Sequence, residues 1–444
     1  MTVKGVARIF GRPAAKRETE GKDMDEPKVY AYGGAMNSLP EILCAEGIRS
    51  VFVYADRNTY EAAGRRAVKI LESAGIKAKE YIFKSKRVEP SEATVGLAAM
   101  SFDPSVDAVL GVGSGVINDV SKIIANNSGK KYIILATAPS MDGYASAASS
   151  MSVEGLKISL PSKCADIIIG DIDIIKNAPM KMMLAGLGDM IAKYTAICEW
   201  RISNIINGEP ISEEIAESVR ESLRECVKNA DGLVRREPEA VEAVFNGLVL
   251  CGLAMKRAGS SRPASGIEHY LSHIWDMRGE EFGTPTDLHG LQCAVGTYIS
   301  VSLYEKIKSV KINKEKALGF VESFDYTEWA RELRGFLGKG AEAMITLEEK
   351  EGKYDREKHK ARLDTIIKKW DEILAVINEE LPSLDSLKAL YSTVGLPTIL
   401  EEIGQKADIL PMTFMAAKDI RDKYVLPRLA WDLGIIKELK FDNM

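Results

Sequence analysis

The chain has 444 residues, 46% of them hydrophobic, and its 59 basic and 64 acidic side chains leave a net charge of -5. That supplies core for two ordinary domains, while a mixed, weakly acidic surface argues against nucleic acid or an anionic membrane as a partner. No apolar run is expected to reach the roughly 18 residues that span a bilayer, and six scattered cysteines with no C-x-x-C pair fit a reduced, cytoplasmic protein.

Residues 1–27 read as a polar lead-in, with Arg8, Arg12, Lys16 and Arg17 followed by Glu18, Glu20, Asp23 and Asp25. Short β-rich runs are then expected as strands at 28–32, 50–55, 78–83, 108–112, 132–136 and 166–169. Helical patterns separate them at 39–46, 60–74 and 117–125. Strands alternating with helices predict βαβ units and a mainly parallel sheet over 28–176, with ligands beyond the strands' carboxyl ends. From 177 to 444 the apolar spacing turns helical, at 180–201, 212–229, 238–258, 290–307, 326–347 and 360–380. This predicts a second, all-α domain. The charged stretch 348–360 reads as a solvated helix face or loop with His359 as a passenger.

After the fourth strand comes GVGSGVINDVSK, residues 111–122. Gly111, Gly113 and Gly115 allow positive φ and close backbone approach, and the helix start offers N–H groups to a phosphate. The fingerprint G-x-G-x-x-G is not met, because Val116 holds its third glycine position; a simple tight turn is the competing reading. Asp56 closes the second strand, where it suits ribose hydroxyls or caps the next helix, with Asn58 competing. Thr137, Ser140, Asp142 and Ser146 crowd the turn TAPSMDGYAS after the fifth strand. Three polar strand ends together favour a nucleotide.

Three of the four histidines fall within 21 residues. His269 and His273 share one face of a predicted helix, and His289 precedes another. Two histidines do not make a metal site, and a buried histidine is often only a packed one. Asp189, in LAGLGD, is expected at a helix start, where an N-cap is the competing role. With His269 and His289 it completes three ligands and leaves a fourth position open, the pattern of a catalytic metal.

GSGVIND (113–119), TAPSMDGYAS (137–146), GLGD (186–189), SRPASGIEHYLSH (261–273) and LHG (288–290) stand in this order. With that spacing the chain resembles the sn-glycerol-1-phosphate dehydrogenase family, within the iron-containing alcohol dehydrogenase, glycerol dehydrogenase and dehydroquinate synthase-like group. The likeness covers roughly residues 28–310. It implies a divalent metal on Asp189, His269 and His289, with Asp142, Asp189 and His273 facing the substrate. It also implies NAD(H) or NADP(H) held by Gly115, Val116, Ile117, Asn118 and Asp119, by Thr137, Ala138, Pro139, Ser140 and Ser146, and by Asp56 near the adenosine ribose. Val116 departs from a usual threonine. Lys193 departs from a histidine of iron-dependent relatives, which favours three ligands.

The expected reaction is reversible reduction of dihydroxyacetone phosphate to sn-glycerol 1-phosphate. An unphosphorylated polyol or another phosphorylated substrate is the first alternative, and a non-catalytic nucleotide-binding module the second. Zinc is expected first as the metal, with nickel or iron as alternatives. Arg262 is a candidate for the substrate phosphate, although Pro263 beside it also suits a structural turn. A homo-oligomer, dimeric or larger, is expected.

Overall fold

The computed structural model describes residues 26–85, 87–153 and 156–441. They divide into two compact units. The first takes in the described residues up to 153 together with 158–190 and 217–259, and the second contains 191–216 and the described residues from 260 onward.

The first unit is built on eight strands: β1 (Lys28–Tyr32), β2 (Ser50–Asp56), β3 (Lys77–Phe83), β4 (Ala108–Gly113), β5 (Lys131–Ala136), β6 (Ala148–Val153), β7 (Leu156–Pro161) and β8 (Ile167–Asp171). Six form one parallel sheet in the order β1-β8-β5-β4-β2-β3, and β6 pairs with β7. Central strands β4, β5 and β8 are almost wholly buried and read as continuous apolar runs, as a sheet covered on both faces demands. The chain leaves β2 for β3 on one side and β4 for β5 on the other. The switch point, and so the crevice at the carboxyl edge, lies between β2 and β4.

Two of the helices that this unit has outside the alternating region meet the sheet and its loops at glycines. The 21-residue helix Pro238–Ala258 is the one described helix long and apolar enough to cross a membrane on length and composition, which departs from the expectation of no such run; 67% of its apolar window is buried here. It closes on the sheet where Gly170 of β8 has no side chain, since a Cβ there would sit 2.2 Å from the Phe245 ring. The helix Met180–Ile191 approaches the loop after β5 in the same manner. A Cβ at Gly186 would overlap the Pro139 carbonyl oxygen at 1.7 Å.

The second unit is helical. At its centre the histidine helix, Ile267–Phe282, lies along His289–Lys308, and Lys193–Asn207 packs on both. Gly296 brings the first two together, because a Cβ there would meet the Glu268 backbone at 2.9 Å. The expected helix over 326–347 is broken at Gly338, whose φ of 56 only glycine adopts readily. The stretch 348–360 is not wholly solvated. Glu348 and His359 are buried, and His359 Nε2 lies 3.0 Å from the Asp432 carbonyl oxygen.

Candidate active site

Three polar strand ends sit in a row at the carboxyl edge of the first unit. β4 lies between β2 and β5, with Val112 beside Ala55 and Gly113 beside Ala136, so Asp56, the glycine turn and Thr137 are neighbours. The glycines act by their size. None of Gly111, Gly113 and Gly115 has positive φ, which corrects that part of the expectation. A Cβ at Gly113 would lie 2.6 Å from Ile117, and one at Gly111 would lie 2.9 Å from the Tyr132 hydroxyl. The helix Gly115–Ser128 therefore starts directly off the strand, earlier than expected.

Several residues of this edge build the loop 137–148. Asn118 is buried; its Nδ2 donates to the Gly143 carbonyl at 3.1 Å, and its own oxygens accept from the Tyr132 hydroxyl. Asp119 accepts from Ser150 N at 3.1 Å. Thr137 N donates to Gly113 O at 3.1 Å, Ala138 O accepts from the Tyr144 hydroxyl at 2.6 Å, and Ser146 bonds Gly143 and Ala148 carbonyls. Sequence reading missed Lys122. Fully buried, it donates to the Gly143 and Ala148 carbonyls and to Ser146, and burial lowers its pKa. Asp56 caps its helix in a reciprocal pair with Thr59, one carboxylate oxygen accepting from Thr59 N at 2.8 Å.

Asp189 is not an N-cap. It lies inside the helix Met180–Ile191, fully buried, and its Oδ2 accepts from Asp142 N at 3.0 Å. The carboxylate thus fixes the start of the short turn Asp142–Ala145, whose other side rests on Gly252, where a Cβ would meet Asp142 O at 2.9 Å.

The second unit gathers its three central histidines. Ring centroids of His269 and His289 are 4.9 Å apart, those of His273 and His289 5.8 Å, and those of His269 and His273 6.5 Å. His269, His289 and Cys293 each offer a ligand atom within 4.8 Å of the others. Cys293, one helical turn after His289 with Sγ 3.5 Å from its Nε2, had no signal in the sequence beyond that spacing.

Neighbouring side chains orient these rings. His269 Nδ1 is 2.8 Å from Glu268 Oε1, and Glu268 also accepts from Gly266 N and Thr195 Oγ1. Burial works against the Glu268 charge, but the hydrogen bonds from His269, Thr195 and Gly266 prevail and hold its pKa below the ordinary value. An ionised Glu268 places the His269 proton on Nδ1 and leaves the Nε2 lone pair for a metal. His289 Nδ1 is 3.0 Å from Ser272 Oγ. A second buried carboxylate, Glu199, accepts from Ile267 N at 2.8 Å; burial and the Glu268 charge push its pKa up to about 8. Gly266 is required between the two, since a Cβ there would lie 2.7 Å from Glu199 and 2.9 Å from Glu268.

Two other singled-out residues are structural ties. The Arg262 guanidinium is buried and grips Glu209 with both prongs, at 2.7 and 2.5 Å, while Nη1 donates to Tyr424 O at 3.1 Å. Three of its five donors hold a turn, and its charge is paired with Glu209, which favours the structural reading over a phosphate ligand. Buried Lys193 donates to Ala264 O at 3.1 Å, inside SRPASG.

A parallel sheet with a carboxyl-edge crevice and a helical unit with clustered histidines make the architecture of the dehydroquinate synthase-like fold. Residues 30–179 match the model of the iron-containing alcohol dehydrogenase family. The chain is 31% identical over 313 residues to a glycerol-1-phosphate dehydrogenase [NAD(P)+] of Halalkalibacterium halodurans, covering 70% of this chain and 78% of that one. It is 35% identical over 256 residues to the enzyme of that name from Methanoregula boonei, 58% and 68% of the two chains. Among solved structures, a glycerol dehydrogenase of Schizosaccharomyces pombe shares the fold with a TM-score of 0.61 at 17% identity, over 96% of this chain and 92% of that one. The chain belongs to the glycerol-1-phosphate dehydrogenase family.

Proposed function

We propose that the chain catalyses the metal-dependent, NAD(P)H-linked and reversible reduction of dihydroxyacetone phosphate to sn-glycerol 1-phosphate. The observation that carries this reading is the ordered histidine cluster, in which Glu268 sets the tautomer of His269 and Ser272 the ring of His289. Two imidazoles with fixed lone pairs suit a borderline divalent ion such as zinc, nickel or iron. The names of the relatives, glycerol-1-phosphate dehydrogenase [NAD(P)+], support this choice of substrate and cofactor pair.

In this reading Asp189, His269 and His289 would hold the ion. When bound, the ion supplies Lewis acidity to a ketone oxygen, and the reduced nicotinamide supplies the hydride. Asp142 and His273 orient the substrate hydroxyls, and His273 passes the proton that completes the alcohol. Gly115 to Asp119, Thr137 to Ser140 and Ser146 form the cradle of the dinucleotide, the helix start facing its pyrophosphate. Asp56 keeps one carboxylate oxygen for a ribose hydroxyl.

Oxidation of NADH and of NADPH, followed with dihydroxyacetone phosphate, with dihydroxyacetone and with no ketone, tests the substrate. Turnover confined to the phosphorylated ketone is expected. Equal or faster turnover of dihydroxyacetone moves the chain to the polyol dehydrogenases.

A further inference from the structure

The second unit contains a cavity of about 200 Å³ lined by Lys353, Arg362, Lys418, Lys423 and Arg428 together with Glu209 and Asp422. Its volume falls below the roughly 300–1,000 Å³ of ordinary ligand pockets, so it suits a compact group. Most of the surrounding charge is already matched. Arg362 forms a two-pronged pair with Asp432, at 2.8 and 2.9 Å. Lys418 and Arg428 share Asp419, at 2.6 and 2.8 Å, and Glu209 is held by Arg262.

Lys353 and Lys423 are different. Among the described residues each ammonium makes its hydrogen bond to a backbone carbonyl, of Arg421 and Ser265 respectively, and neither bonds a carboxylate. An ammonium has three donors, so two remain on each. Burial lowers the pKa of Lys353 to about 8, and burial together with Arg262 and Arg421 lowers that of Lys423 to about 7. Two lysines without a carboxylate bond, beside three paired cations, leave the cavity with hydrogen-bond donors to spare, Asp422 being the one lining carboxylate not already described in a pair.

We propose that this cavity is a binding site for a compact phosphate-type dianion, seated on Lys353 and Lys423 with Arg428 and Arg362 behind them. Oxyanion oxygens take several charge-assisted hydrogen bonds at once, which the unspent ammonium donors supply. The seat is tied to the histidine helix. Lys423 holds Ser265 O at 2.8 Å, and Tyr424 O holds Arg262, so both ends of the SRPASG turn that leads to His269 are anchored beside the cavity. Occupancy would stiffen that turn. The anion has two possible sources, free phosphate or the phosphate of a small ester.

Titration calorimetry with inorganic phosphate on the metal-loaded protein, at constant ionic strength in chloride, tests the site. We expect one equivalent bound with a dissociation constant on the order of 1 mM or tighter, and at least about tenfold weakening in Lys423→Met and in Lys353→Gln. If Lys423→Met loses the wild-type circular dichroism spectrum, the more peripheral Lys353→Gln carries the test. Displacement of bound phosphate by glycerol 1-phosphate identifies an ester as the natural occupant, and failure to displace identifies the free ion; both outcomes uphold the site. Wild-type protein that binds no phosphate, or folded variants that bind it as the wild type does, overturns the proposal.

Discussion

In the sheet unit, much of the positioning is done by what is missing: Gly186 and Gly252 have no Cβ, so backbone meets backbone along the loop 137–148, beside the hydrogen bonds that Asn118, Lys122 and Asp189 make to it. In the helical unit polar groups are positioned by what is present, as buried Glu268, Glu199, Thr195 and Ser272 grip the histidines and the turn before them. A clamp made by close approach tolerates no added atom but is indifferent to charge. A clamp made of buried polar groups tolerates no change of charge or hydrogen bonding. The two regions should therefore fail in different ways.

The largest effect is expected from the histidines. His269→Ala and His289→Ala should lose bound metal, measured by elemental analysis, and turnover should fall by roughly 10³-fold or more, since Lewis-acid stabilisation is worth several kcal/mol. His273→Ala should slow turnover and retain near one equivalent of metal; metal loss there would place His273 among the ligands. Next comes Gly186→Ala in the sheet unit. Its Cβ collides with Pro139 O, so thermal unfolding should show a loss of about 3 kcal/mol. A wild-type melting temperature would show that the close approach is not needed.

Glu268→Gln separates the two kinds of clamp more finely. It keeps shape and removes charge, so metal affinity should weaken about 10- to 100-fold with little change in the fold. The smallest effect concerns pH. Lys423 has a folded pKa of about 7 against an ordinary 10.5, so between these values the unfolded chain binds more protons. Stability contributed by this group therefore rises with pH across that window and is lowest below pH 7. Lys423→Met should flatten that rise in denaturant titrations at pH 7 to 10; an unchanged slope would refute the depressed value.

Much of the frame is legible in the sequence. Buried parallel strands are unbroken apolar runs, and the expected bounds of β1 to β5 and β8 fall within two residues of those observed. The ends of helices are less legible. The pattern over 180–201 continues straight through Ala192, where one helix gives way to another, because both halves bury an apolar face. Periodicity also says that 238–258 is a helix but not what it packs on, and the answer depends on Gly170 and Phe245, 75 residues apart. The histidine spacing was readable because i and i+4 share a face. The grip of Glu209 on Arg262 was not, since 53 residues separate them and nothing in either neighbourhood requires the pair. Glu268 stood in plain view beside His269, yet adjacent helical residues rarely face each other, and only the geometry pairs them.

The most direct measurement is turnover of dihydroxyacetone phosphate by chelator-stripped protein as a single divalent metal is added back, with bound metal counted at each step. Activity that is absent at first and rises in proportion to occupancy, reaching its plateau at one equivalent per chain, is the expected result. Full turnover by protein holding no metal would contradict the reading of the histidine cluster as a catalytic metal site.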